Sequence, residues 1–417
     1  MTKLLKIFVI LNLLVSVSSF AQEEDAGGSP YSIFGIGDVI SFSSNRTHSM
    51  GILGTSLFGN YVNSYNPAAL AKLRFTDITF SMNYGFFSTE NSSSISKLSD
   101  GNVMGFNIGI PISQGSGWVM SLGFNPVTIV NTKVKINGKA GEQNYVQSYA
   151  SKGGLSRLNF GMSYTFLQKL TFGLEYNYGF GEIKSQNFIN FNNANFVTTN
   201  IKKELDFNKS YVKGGVIVEM GKIFRSITLR DFTIGFAFQS AFGLNTSEQG
   251  IYGSSLTVDT VNINSGTLEI PSQMSFGLTN VFNGKYVVSG DFTMQDWGNF
   301  SDITTPNVKL GTSYVAGLGV EILPSRDAYS FFQTMTYRIG GFYEKNFYQV
   351  AGQDINTWGI RTGVNIPMSE YSSLDLGVNY SQRGTTNNGL VKDQFLNFTA
   401  TINFGELWFI RAREEDQ

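Results

Sequence analysis

Apolar and polar residues alternate one for one along most of the chain. Within residues 76–85, Ile78, Phe80, Met82 and Tyr84 are apolar or aromatic, and Asp77, Thr79, Ser81 and Asn83 between them are polar. The same rhythm runs through Leu170, Phe172, Leu174, Tyr176, Tyr178 and Phe180, and again through Leu158, Phe160, Met162, Tyr164 and Phe166. In an extended strand this spacing places one face in an apolar medium and the other in a polar one. From residue 76 onward the pattern predicts about fourteen strands, each near the roughly ten residues that a tilted strand needs to cross a bilayer.

The connections carry a second signal, since they alternate in length. Residues 85–102, 127–155, 183–210, 241–269, 297–312, 344–356 and 382–393 read as long polar loops. Between them lie short turns such as "LQK" and "FNGK". Long loops on one side and short turns on the other are the habit of outer-membrane barrels.

Charge placement sharpens the prediction. Asp77, Glu175, Lys213, Glu219, Asp291, Arg361 and Asp375 all fall on the register opposite the apolar one. A charge facing lipid at the midplane costs roughly 2–4 kcal/mol, whereas a wet or paired lumen tolerates it. A soluble sandwich also alternates, but it carries charge on its outer faces. The prediction is therefore an all-β transmembrane antiparallel barrel with Asp77, Glu175, Arg361 and Asp375 in its lumen. These lumen charges are expected to pair with one another or with the N-terminal segment.

Three segments stand apart. Residues 1–21 carry Lys3 and Lys6, an apolar run and Ser19-Phe20-Ala21, the layout of an export leader cut after Ala21. Residues 22–72 are rich in Gly, Ser and Asn and lack sustained alternation, and read as a compact but irregular segment ahead of the barrel of residues 73–405. Within it, Asn66 is placed to cap a short helix that begins at Pro67 and continues through Ala68 and Leu70. The tail 406–417 reads as a frayed end or a periplasmic docking segment.

Composition excludes several functions. Charged residues make up 15% of the chain, aromatics 14%, and the formal net charge is −1, which argues against nucleic acid as a partner. There is no cysteine, so disulfides and thiolate chemistry are excluded. The only histidine, His48, lies in the irregular N-terminal region and has no nucleophile beside it in the pattern. Glu23-Glu24-Asp25 is one acidic run without converging ligands, and "GILG" at 51–54 lacks the strand and helix of a phosphate loop. No catalytic residue, metal site or cofactor is expected. Pro126 draws attention because it lacks the N–H that a ladder needs. Either the third strand ends there at the rim, or the wall is kinked open beside Asn125 and Pro126.

Several stretches resemble FadL-type outer-membrane transporters, a family of long-chain fatty acid and aromatic hydrocarbon channels. "GILGTSLFGNYVNSYNPAALAKL" resembles that family's N-terminal hatch, which leads into Asn-Pro-Ala. "IPSQMSFGLT", "DFTMQDWGNF", "YRIGGFY" and "TWGIRTGVNIPMSEYSSLDLGVNY" resemble its strands in the right order, and "SPYSIFGIGD" resembles members from Bacteroidetes-type bacteria. The resemblance implies a fourteen-stranded barrel in the outer membrane, plugged by residues 22–72 as its hatch. It also implies passive uptake of a hydrophobic small molecule or lipid, with Asn66, Pro67, Ala68 and Leu70 as hatch and lateral exit near Asn125 and Pro126. The alternative is an accessory barrel that binds other outer-membrane or periplasmic proteins in a secretion or assembly complex.

Overall fold

A computed structural model describes residues 28–408, apart from 43, 114, 192–197, 255–257, 299–308 and 351. The expected leader, the acidic run at 23–25 and most of the tail lie outside the described residues.

Fourteen antiparallel strands form one ring. They are β1 (Thr76–Glu90), β2 (Ile95–Ser113), β3 (Trp118–Pro126, resumed as Thr128–Ala140), β4 (Gln143–Phe166) and β5 (Leu170–Phe191). Next come β6 (Thr199–Glu219), β7 (Thr233–Gln239 and Phe242–Ser254), β8 (Val258–Ile270 and Gln273–Phe282) and β9 (Tyr286–Asp296). The set ends with β10 (Lys309–Leu310 and Thr312–Ile322), β11 (Thr336–Val350), β12 (Gln353–Pro367), β13 (Ser373–Gly384) and β14 (Lys392–Glu406). The ring closes where β14 pairs with β1, from Lys392↔Glu90 to Glu406↔Thr76.

Alternation decides which side faces out. Leu174 is 59% exposed and its neighbour Glu175 is 1% exposed, and a like alternation of exposed and buried positions runs along β4, β5, β9 and β13. The turns suit their strands. Asn283 and Gly284, between β8 and β9, adopt φ of 52° and 62°, the positive values that match the twist of a hairpin and that Asn and Gly tolerate.

Most of the outer segments expected as loops are instead strand. Residues 130–140 and 143–153 form a continuous ladder, as do 183–189 and 199–205. Beyond the bilayer both faces of a hairpin meet water, so the apolar alternation that marks a strand in sequence disappears while the backbone pairing continues.

The N-terminal segment contains a 3-10 helix (Pro30–Ile33), a two-residue strand (Asp38–Val39), α1 (Asn45–Ser49) and a second 3-10 helix (Pro67–Lys72). Met50, Ile52 and Leu57 cluster with Val287 of β9. Val62, Leu70 and Leu73 cluster with Val119 of β3, and Ala68 and Ala69 with Ile217 of β6. All three wall residues belong to the polar, buried register, so the segment packs against the inner face of the ring.

Candidate functional site: the interrupted wall and the segment beneath it

The third strand does not end at Pro126. Pro126 pairs with Ser156, yet Val130 pairs with Gly153 rather than with residue 152, so one extra residue is inserted in β3. Such a bulge flips the register: Phe124 is exposed before it, and Thr128 is buried after it. Gly154 makes the bulge possible, since its φ is +141° and a Cβ there would stand 2.2 Å from the Thr128 carbonyl oxygen.

The bulge separates β3 from β2. The inner half of β3 pairs with β2 from Phe106↔Phe124 to Ser113↔Trp118. Among the described residues no ladder joins residues 95–105 to 128–140. Two links span the interval. Asn131 Nδ2 donates to Asp100 Oδ2 at 2.8 Å, and the strand Asp38–Val39 pairs with Ile129 and Thr128. The Val127 carbonyl accepts from the Ile40 N–H at 2.8 Å. The N-terminal segment thus supplies the partner that β2 does not.

A relay of polar side chains lies under this break. Asn125 exchanges hydrogen bonds with Asn107 at 2.9 and 3.0 Å and donates to Asn159 at 2.9 Å. Asn159 donates to Glu175 at 3.2 Å. Glu175 faces Arg157 at 3.7 Å and Lys213 at 4.0 Å, and both cations donate to the Ser64 carbonyl. Two positions singled out separately from the sequence, Asn125 and Glu175, therefore belong to one relay that ends on the N-terminal segment.

The other predicted lumen charges separate. Asp375 pairs with Arg338, and Arg338 Nε donates to Glu321 at 2.9 Å; Glu321 also accepts from Arg46 Nε at 2.9 Å. Arg361 does not pair with Asp375. Its guanidinium lies over the Phe342 ring, 3.8 Å from the centroid. Asp77 is buried near Asp375 and makes no ion pair among the described residues, with Oδ2 lacking a hydrogen-bond partner. Of the two expectations, these charges do not pair with one another, and the cluster around Asp375 reaches the N-terminal segment through Arg338, Glu321 and Arg46. Arg338 and Glu321 take the role instead, and only their place on the polar register could have marked them.

The residues expected to form a hatch, Asn66, Pro67, Ala68 and Leu70, are all buried. Asn66 caps the 3-10 helix by accepting from the Ala68 N–H at 3.0 Å, while its amide donates to the Thr55 carbonyl at 2.5 Å. Pro67, Ala68 and Leu70 follow, and the backbone at Pro67–Ala68 passes so close to β5 that a Cβ on Gly173 would stand 2.2 Å from it. The "GILG" stretch does bind an anion, but from its own chain: the N–H groups of Leu53 and Gly54 donate to the Asp291 carboxylate at 2.8 and 2.6 Å, and that of Thr55 at 3.3 Å. His48 stacks obliquely near Phe42, and desolvation, reinforced by the Arg361 charge, lowers its pKa well below the usual value, so it stays neutral.

Two cavities meet at Val39, Ile40 and Ser41. One, of about 70 Å³, lies behind the break between Ile36, Pro126, Val127, Leu155 and Trp297. The other, of about 210 Å³, is more polar and runs from Met104 and Ile129 to Arg361 and Asn379. Among the described residues no group of histidine, aspartate or glutamate is arranged to hold a metal ion.

A closed fourteen-strand ring with an aromatic outer face and a polar inner one defines an outer-membrane β-barrel. It has the fold of the FadL-type channels. A FadL homologue of Pseudomonas aeruginosa aligns with 88% of this chain and 99% of its own, at a TM-score of 0.61 and 11% identity. The Pseudomonas putida toluene transporter TodX aligns with 89% and 100%, at 0.55 and 14%. The Ralstonia pickettii toluene transporter TbuX aligns with 82% and 92%, at 0.55 and 13%. No protein of curated function matches the sequence significantly. The family model that matches, over residues 1–414, is BamG, and the chain belongs to the BamG family.

Proposed function

We propose that this barrel passes a hydrophobic small molecule passively, through a lumen plugged by its own N-terminal segment, with lateral exit at the break in β3. In this reading residues 1–21 are removed on export, residues 22–72 act as hatch and the tail 406–417 lies in the periplasm. The observation that carries it is a wall whose β2–β3 ladder stops at Phe106↔Phe124 and whose substitute partner beyond that point, Asp38–Val39, is a two-residue strand. A cavity of mixed lining sits directly behind that strand, with Ile36, Pro126, Leu155 and Trp297 on one part of its wall and Arg157, Lys213 and Gln295 on another. A two-residue pairing costs little to break, whereas a full ladder would not open. The toluene transporters TodX and TbuX share the fold, which supports a hydrophobic ligand class.

Cross-linking tests it. Val39 and Thr128 are direct partners, and the chain has no native cysteine. Opposed residues of this kind suit a disulfide. Val39→Cys with Thr128→Cys is expected to abolish uptake of fatty acid or toluene when oxidised and to restore it on reduction. Equal uptake in both states would overturn lateral exit.

A second reading, a non-transporting accessory barrel of a secretion or assembly complex, draws on how firmly the segment is held. Arg46, Asp38 and Ser64 are all bonded to the wall, and movement of the hatch must break several of these buried contacts. Purification in mild detergent separates the two, since a stoichiometric protein partner favours the second and a monomer with bound lipid the first.

A further inference from the structure

We propose that the polar cavity of the bore is a binding site for a small zwitterion, an α-amino acid with an apolar side chain. The proposal concerns the cavity of about 210 Å³ alone and stands whether or not a hydrophobic molecule leaves through the wall.

One charge of each sign on this wall lacks a partner. Arg46, Arg157, Arg338 and Arg383, the other guanidinium groups described in the bore, each stand within 3.7 Å of a carboxylate. Arg361 has none among the described residues. Its guanidinium rests on the Phe342 ring, and its Nε has no hydrogen-bond acceptor. Glu344 is the matching carboxylate. It lines the same cavity and makes neither a hydrogen bond nor an ion pair among the described residues. Arg383, which lies near it, is already held by Asp38 at 2.7 and 2.8 Å. Register keeps the two free charges apart: Arg361 pairs with Gly340, Phe342 with Gly359 and Glu344 with Thr357. Glu344 thus stands two residues past Phe342, roughly 7 Å along the strand. The charges act on each other without touching.

Amides surround the free guanidinium. Arg361 pairs across strands with Asn379, and Asn379 with Asn397. The Oδ1 atoms of these two and of Asn83 have no partner among the described residues, although Asn379 is only 4% exposed. Buried polar groups are rarely left so, and here three line one cavity. Water satisfies an amide but brings no counter-charge. A carboxylate does, and a guanidinium binds it through paired hydrogen bonds. A simple anion is a poor fit, because Asp38, Asp100 and Glu344 outnumber Arg361 and Arg383 on the lining. An ammonium group on the same ligand meets Glu344 and removes that objection. Phe87, Phe395, Met104 and Ile129 supply an apolar wall for its side chain. The volume lies below the roughly 300–1,000 Å³ of pockets for drug-sized ligands, so the ligand is small.

Isothermal titration of the detergent-solubilised full chain compares L-phenylalanine with phenethylamine, which lacks the carboxylate, and with 3-phenylpropionate, which lacks the ammonium group. The unaltered protein is expected to bind phenylalanine about tenfold or more tightly than either. Arg361→Gln should erase the advantage over phenethylamine, and Glu344→Gln the advantage over 3-phenylpropionate, in barrels whose heat-modifiable migration matches wild type. Equal affinity for the three probes, tighter binding of either single-charge probe, or no heat at millimolar phenylalanine would overturn the proposal, and none of these needs a variant. An unchanged preference in both folded variants would overturn it too.

Discussion

At the residue scale, single carboxylates do much of the work of holding the N-terminal segment. Asp291 alone satisfies three backbone N–H groups of residues 53–55, in a place water does not reach. Asp291→Ala leaves those donors unpaired. Such a loss costs about 1–3 kcal/mol. The expected result is a lower unfolding temperature in detergent, read by circular dichroism and by heat-modifiable gel migration. Asp291 was visible in the sequence only as a charge on the polar register. That "GILG" would curl around it was not, because the two stretches lie 237 positions apart at their closest bond.

At the scale of elements, the outward register must stay apolar wherever lipid reaches. Leu174, midway along the apolar run of β5, is 59% exposed. Leu174→Arg should destabilise the barrel by roughly 2–4 kcal/mol in lipid vesicles, measured by equilibrium unfolding, whereas a substitution on the outer hairpin such as Phe188→Arg should be near neutral. Strand count and facing were legible because a lipid boundary imposes a strict period of two. The outer hairpins were not, since water on both faces removes the period. The bulge at Val127 was only half legible. Pro126 announced an interruption, but a shift of one residue is a property of the pairing with β4 and appears nowhere in β3 itself.

At the scale of the whole molecule, the ring and its N-terminal segment act as one body joined by buried ion pairs. Arg46, Glu321, Arg338 and Asp375 run from α1 across β10 and β11 to β13. Deleting residues 29–72 is expected to give a barrel that still folds, judged by heat-modifiable migration, and that conducts ions in planar bilayers where the full chain does not. A deleted form that folds and remains silent would show that the segment is not what closes the bore.

The alternation of apolar and polar residues by itself determined the fold class, the strand number and the side of the wall each charge faces. These follow from the solvent on either side of a strand, which is written into neighbouring residues. The tertiary structure alone decided which charges meet, why Arg361 and Asp375 do not, and that Asp38–Val39 completes the wall beside β3. Those outcomes depend on closing a ring of several hundred residues. Closure brings together groups whose separation along the chain exceeds any local pattern.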